Sequence, residues 1–294
     1  MTKHQFGGDW TEEKLERIRK YLCAYTTIFT RNPNARYYTT VYVDAFAGCG
    51  YRIERGAQLD PTDLLETTID DDAEQLKKGS ARIALEVEPG FDRHVFIESE
   101  ADRAADLRQL KSEFPGKADS VQIEQSDANA FLQDWCRQTN WQKARAVVFL
   151  DPYGMQVEWA TLEAIAETKA IDLWLLFPIG VAVNRLLTKS GPPPDPWAKA
   201  LTRIFGTDEW KEAFYQTHEE PTLFGIDSVE RKVATLDSIG SFFCARLKRI
   251  FSKVATNPLT LRNSRQTPIY LLCFAAGNSK GATTAVKIAQ DILK

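Results

Sequence analysis

Histidine is scarce in this chain: among 294 residues there are three, His4, His94 and His218, far apart in the sequence. Such spacing argues against a zinc cluster and against a Ser-His-Asp triad, both of which draw on histidine, and no metal site is expected. The five cysteines, Cys23, Cys49, Cys136, Cys244 and Cys273, include no C-x2-C pair, and their number is odd. With no secretory leader in view, the chain reads as reduced and cytoplasmic. No apolar run reaches 18 residues, so no membrane-spanning helix is expected. A large charge of one sign is missing too. The formal net charge is -3 and the pI about 5.8, so the protein as a whole does not attract polyanions. A local basic face stays open. What is there is an ordinary globular composition, 44% apolar and 26% charged, with length enough to bury a large core.

Helical spacing of Leu15, Ile18, Tyr21, Leu22, Tyr25 and Ile28 predicts a helix over 10–29. Asp9 or Thr11 suits its cap, and Glu12 and Glu13 suit its first turn. "RNPNAR" ends it. From residue 40 onward, strand-like and helix-like segments alternate. "YYTTVYVDA", "HVFIES", "SVQIEQSDA", "RAVVFLDPYG" and "IDLWLLFPIG" read as strands. The last two are almost unbroken apolar runs, as in the middle of a parallel sheet. "EADRAADLRQLKSEF", "NAFLQDWCRQ" and "TLEAIAETKA" read as helices between them, and "SARIALEV" as a short helix capped by Ser80. The pattern loosens after residue 181, around "SGPPPDPW". Then "VATLDSIGSFFCARLKRIF" predicts a long helix, "PIYLLCFAAGNSKG" a strand and turn, and "ATTAVKIAQDIL" a closing helix. This alternation implies an α/β fold with a doubly wound, mostly parallel, Rossmann-like sheet and helical insertions. The expected organisation is an N-terminal helical extension over 1–39 and a sheet domain over 40–294, with insertions at about 52–90 and 181–235.

Ligands of such sheets bind outside the carboxyl ends of the strands. Four consecutive strand ends here carry an acid. The first reads Asp44, Ala45, Phe46, then Gly48 and Gly50, whose missing side chains let the backbone approach a ligand. The second carries Glu98, with Glu100 two residues on; an acid there can accept both hydroxyls of a ribose. The third is Asp127-Ala128, where a carboxylate can accept from an exocyclic amine. The fourth is Asp151-Pro152-Tyr153-Gly154. Singly, each has a plain explanation as a corner or a helix cap. In order, on consecutive strands, they point to a nucleoside site. The first turn is D-x-F-x-G-x-G and lacks the third glycine of G-x-G-x-x-G, which argues against NAD.

These motifs resemble those of the class I S-adenosylmethionine-dependent methyltransferases. The resemblance implies that Asp44, Ala45, Phe46, Gly48 and Gly50 line the methionine end of S-adenosylmethionine. It implies that Glu98, with Glu100 in reserve, takes the ribose, and that Asp127 and the backbone of Ala128 read the adenine. Asp44 and Glu98 lie 54 residues apart, where about 20 is usual for a nucleotide fold; an insertion within 52–90 accounts for the gap. "LDPYG" resembles the D/N-P-P-Y/F motif of the amino-methylating members. Its second proline is missing, and the form is closer to that of tRNA guanine-N2 methyltransferases. By that resemblance Asp151 orients an amine, Pro152 supplies a carbonyl and Tyr153 stacks on a base, so the acceptor is a nitrogen of a base in RNA or DNA. The alternative is that Asp151 only contacts the cofactor or caps the next helix.

A narrower resemblance covers nearly the whole chain. "FGGDWTEEKLERIRKYLCAYT", "VYVDAFAGCG", "VFIES", "FLDPYGMQVEW", "AIDLWLLFPIGVAVNRLL" and "CFAAGNSKGATTAVKIA" are similar to the three-Cys-motif partner (TcmP) proteins. This implies a bacterial protein whose 40–294 segment is a methyltransferase-like domain. It also implies a companion that bears three cysteines and resembles iron-sulfur proteins. Either the chain methylates a substrate, or it binds cofactor without turnover and scaffolds or senses for that companion.

Three other stretches admit two readings. "FGGDW" at 6–10 is either a lid hinged at Gly7 and Gly8 or a helix start with a buried Trp10. "AAGNSKGATT", with Lys280 and Thr283, is either a phosphate loop of a nucleotide hydrolase or a strand-turn-helix corner; it lacks the G-x-x-x-x-G-K-[ST] spacing. "CARLKRIFSK", with Arg246, Lys248, Arg249 and Lys253, is either a nucleic-acid patch or a solvated helix face.

Overall fold

The computed structural model describes residues 9–47, 72–152, 154–222 and 225–294. Helix α1 (Asp9–Arg31) leads into β1 (Thr39–Ala45), α2 (Asp72–Glu86), β2 (Arg93–Glu98), α3 (Ala101–Glu113), β3 (Val121–Gln125), α4 (Ala128–Gln138), β4 (Ala144–Leu150), α5 (Trp159–Glu167) and β5 (Ile171–Phe177). A π-type turn (Ile179–Val183) follows, then α6 (Asp195–Phe205), α7 (Trp210–Phe214) and a hairpin of β6 (Tyr215–Thr222) and β7 (Gly225–Lys232). The chain closes with α8 (Leu236–Ile250), β8 (Lys253–Val254), β9 (Leu259–Arg262), β10 (Pro268–Ala276) and α9 (Ala282–Ile292).

The main sheet runs β3-β2-β1-β4-β5-β10-β8, with β9 also on β10. Strands β1 to β5 are parallel, and β10 lies antiparallel to β5. Their side chains alternate between two cores, one on each face. Val41, Val43 and Ala45 of β1 pack with α4, α5, α6 and α8. Tyr42 of β1, Phe149 of β4 and Trp174 of β5 pack with α1, α2, α3 and α9. Burial on both faces is why these strands read as apolar runs rather than as alternations. Residue 181 onward holds α6, α7 and the β6–β7 hairpin, whose strands "YQTHEEPT" and "GIDSVERK" form a two-stranded sheet, with Arg231 of β7 also bridging to Ser190. They carry no apolar alternation, so no hairpin is legible there.

Three details position the site. The pairing Ala45 to Ile97, Ala45 to Leu150 and Glu98 to Gln125 brings the carboxyl ends of β1 to β4 to one level. Helix α1 lays its stripe Ile18, Tyr21, Leu22 and Tyr25 across the second face of the sheet. The expectation that a helix starts at Ser80 is corrected: α2 begins at Asp72, and Ser80 is a buried residue within it. Among the described residues no helix is long and apolar enough to cross a membrane.

Candidate functional site

The strand ends converge on two adjoining features. One is a cavity of about 240 Å3 lined by Phe46, Glu98, Asp127 and Ala128, with Asn129 and Arg203 completing its wall. The other is a buried cluster of Asp44, Asp151 and Lys14 on the α1 side of the sheet.

Phe46 follows β1 directly and adopts φ 82. A bulky side chain in the left-handed region is strained, and such outliers gather where backbone must meet a ligand. The amide of Ala47 donates to the carbonyl of Ile97 at 2.8 Å, which ties this corner to β2. Ala45 is fully buried beneath it. Gly48, Gly50 and Tyr153 lie outside the described residues.

Glu98 ends β2 and is buried, and its Oε1 accepts from the amide of Glu100 at 2.8 Å. Glu100 itself is exposed as the residue before α3 and does not line the cavity. Asp127 caps α4, its Oδ1 accepting from the amide of Ala130 at 2.8 Å, and it lines the cavity as well. The cap reading and the ligand reading of Asp127 therefore share one carboxylate with two oxygens. Ala128 is the first residue of α4.

Asn129, two residues past Asp127 at the third strand end, joins two walls. Its Nδ2 donates to the carbonyl of Gln156 at 2.8 Å, while its Oδ1 accepts from Thr161 Oγ1 at 2.8 Å and from the amide of Glu158 at 3.0 Å. It thereby pins the segment after Asp151 against the start of α4. Arg203 reaches the cavity from α6, within the expected 181–235 insertion.

Asp44 and Asp151 face α1 because strand alternation puts Tyr42 and Phe149, two residues before each, on that side. Lys14 lies one turn before Ile18 on the same stripe of α1. Its Nζ donates to Asp151 Oδ2 at 2.6 Å, with the two side chains 1% and 9% exposed. The ammonium also lies 5.5 Å from the Trp10 ring and 5.8 Å from the Phe149 ring. Trp10 in turn stacks on Tyr270 at 5.7 Å. A lysine set into an apolar stripe is the signal in the sequence that marks this residue. Pro152 is buried beside the pair.

Asp44 is pushed up to about 7, chiefly by burial; a hydrogen bond from Ser80 opposes the rise, the charge of Asp151 adds to it, and that of Lys14 opposes it. Tyr42 Oη lies 3.4 Å from its Oδ2, and its buried Oδ1 has no hydrogen-bond partner among the described residues. A buried acceptor without a donor is costly. Two carboxylates against one ammonium leave the cluster suited to a further cation or N–H donor.

The strand order, the reversed β10 and helices on both faces define a Rossmann-like fold of the class I methyltransferase type. No protein-family model matches the chain, and no curated protein matches it in sequence. Solved structures similar to it include a Legionella pneumophila protein of the family designated DUF519, 12% identical, with a TM-score of 0.48 over 99% of this chain and 92% of that one. The magnesium protoporphyrin IX methyltransferase of Synechocystis, with bound S-adenosylmethionine, is 12% identical, with a TM-score of 0.33 over 76% of this chain and 80% of that one. A glycopeptide N-methyltransferase in complex with S-adenosyl-L-homocysteine is 9% identical, with a TM-score of 0.33 over 87% of this chain and 89% of that one. These likenesses are of fold, and no residue's role is carried across from them.

Proposed function

We propose that this chain binds S-adenosylmethionine at the carboxyl ends of β1 to β4 and transfers its methyl group to a nitrogen of a nucleic-acid base. The observation that carries the proposal is the cavity that joins Phe46, Glu98, Asp127 and Ala128 at the strand ends; the donorless buried oxygen of Asp44, two residues before Phe46, adds to it. The residues fit the cofactor part by part. In this reading Glu98 takes the ribose hydroxyls, Asp127 and Ala128 border the adenine, and Asp44 Oδ1 accepts from the amino-acid end. When bound, the cofactor supplies a methyl group on a sulfonium, an electrophilic carbon.

In this reading Asp151 holds the acceptor amine with its lone pair aimed at that carbon. The carboxylate already takes an ammonium N–H from Lys14 on Oδ2, so it accepts from nitrogen in this buried setting, and Oδ1 is left for a second donor. Lys14 fixes the carboxylate's position through its 2.6 Å contact. Asn129 holds the following segment in place. The chemistry asked of the protein is then mostly positioning.

A second reading has one observation in its favour: the Lys14–Asp151 pair is buried and occupies the group that would orient the acceptor. On that reading the chain binds cofactor without turnover and scaffolds or senses for a three-Cys-motif protein. The motifs similar to the TcmP proteins support that partner under either reading.

Calorimetric titration with S-adenosylhomocysteine tests the common part. Glu98→Ala should weaken binding about ten-fold or more, because unpaired ribose hydroxyls cost about 1–3 kcal/mol. Absence of binding by the wild type refutes the cofactor reading. Binding without incorporation of labelled methyl into RNA or DNA, with the three-Cys protein present, selects the second reading.

A further inference from the structure

We propose that the opposite edge of the sheet is a second site and that it binds a single strand of nucleic acid. Helix α1 runs against the strands, so its C-terminal half reaches the edge where β1, β4 and β5 begin and β10 ends. There it closes a cavity of about 510 Å3 whose walls include Tyr25, Tyr37, Tyr38, Arg145, Asp172 and Lys280. Arg145 near the start of β4 and Asp151 just past its end sit six residues apart, about 20 Å at ~3.3 Å per residue. This site is therefore separate from the strand-end site and does not rest on methyl transfer.

The Tyr37 and Tyr38 rings touch at a tilt of 35°, 4.2 Å between centroids, and the Arg145 guanidinium lies 3.8 Å over Tyr38. Two main-chain carbonyls, those of Trp141 and Ala144, hold Arg145 at 2.6 Å each. Tyr37 is 66% exposed. An exposed tyrosine braced by Tyr38, which Arg145 covers in turn, offers a flat face on which a base can lie. Behind it, Asp172 lines the cavity, accepts from Tyr21 Oη at 2.7 Å and makes no ion pair among the described residues. It is placed to accept an N–H from the edge of a base.

The rim carries the charge for phosphates. Segments 31–38, 143–145, 167–172 and 278–284 hold six cations and two acids, Glu167 and the buried Asp172. Five of the cations, Arg31, Arg36, Lys143, Lys169 and Lys280, are exposed and unpaired among the described residues. In a chain of net charge -3 this is a local reversal, and charge spread over four segments exceeds what one phosphate can meet. By contrast, the densest basic stretch in the sequence is partly spent. Arg246 donates to the carbonyls of Phe205 and Gly206, and Arg249 pairs with Glu209. A duplex keeps its bases stacked inward, so an exposed tyrosine platform selects unpaired bases.

Fluorescence anisotropy of the full chain with a labelled single strand of about 12 nucleotides tests this, with the matching duplex and AMP as competitors. Five phosphate contacts at ~0.7 each predict a slope of log affinity on log salt of about -3.5. Tyr37→Ala should weaken binding about five-fold or more. Arg36→Ala with Lys280→Ala should reduce the slope by about 1.4. S-adenosylhomocysteine titration of these variants should be unchanged, which separates this site from the other. The proposal is overturned if the strand does not bind at low salt, or if the duplex or AMP competes at the strand's own affinity. Binding untouched by Tyr37→Ala overturns it equally.

Discussion

Replacing Lys14 by methionine removes one charge of the buried pair while keeping an unbranched side chain to fill the stripe of α1. The partners are 1% and 9% exposed, so water screens them little. Removing one partner of such a pair costs about 3–5 kcal/mol, because the other charge is left buried. At about 2 °C per kcal/mol for a chain of this size, the melting temperature should fall by about 6–10 °C. Asp151 would then stand beside Asp44 without its counter-ion. Adding Asp151→Asn should recover most of the loss, and the double-mutant cycle should show coupling of about 2 kcal/mol or more. Urea unfolding of the four proteins measures both. A Lys14→Met variant within about 1 kcal/mol of wild type would falsify the account of a dry ion pair. So would a double variant no more stable than the single one.

Asp172 is pushed up to about 7 by burial, against the opposing hydrogen bond from Tyr21 and the charge of Arg145. A carboxyl raised in the folded state contributes stability that is complete below its unfolded value of about 4 and is lost as pH rises through about 7. Unfolding free energy should therefore decline across that window, and Asp172→Asn should flatten part of the decline; an unchanged slope in the variant would count against a buried, protonatable Asp172. Gly180→Ala would place a Cβ 1.9 Å from the carbonyl oxygen of Pro268, which is backbone and cannot step aside. Thermal unfolding should show a loss of about 1–3 kcal/mol or more, and a neutral variant would mean that the π-type turn is not packed on β10. Arg249→Ala breaks an ion pair more than half exposed on both sides, so chemical unfolding should register less than about 1 kcal/mol.

Much of the fold was legible because its signals are local. The apolar runs of β4 and β5, the helical spacing of α1 and the polar turns between them need only neighbouring residues to be read. The acids at the strand ends were legible for the same reason, since topology puts every carboxyl end of a parallel sheet on one side. The β6–β7 hairpin was not, because its polar strands leave no hydrophobic period. The extent of α2 was missed because Ser80 looks like a cap but serves as a buried neighbour of Asp44.

The residue list at the site divides in the same way. Glu98, Asp127 and Phe46 follow from strand ends, and the cavity places them together. Lys14 is 137 residues from Asp151, and Tyr21 is 151 residues from Asp172. By itself the sequence determined the elements, the order of the strand-end acids and the basic and aromatic residues of each loop. Only the tertiary structure decided which face of the sheet α1 covers and in which direction it runs. That choice brings one end of the helix to Asp151 and the other to Asp172. A buried carboxylate must find a donor or a counter-ion wherever packing brings one, and packing between distant segments leaves no local pattern to read.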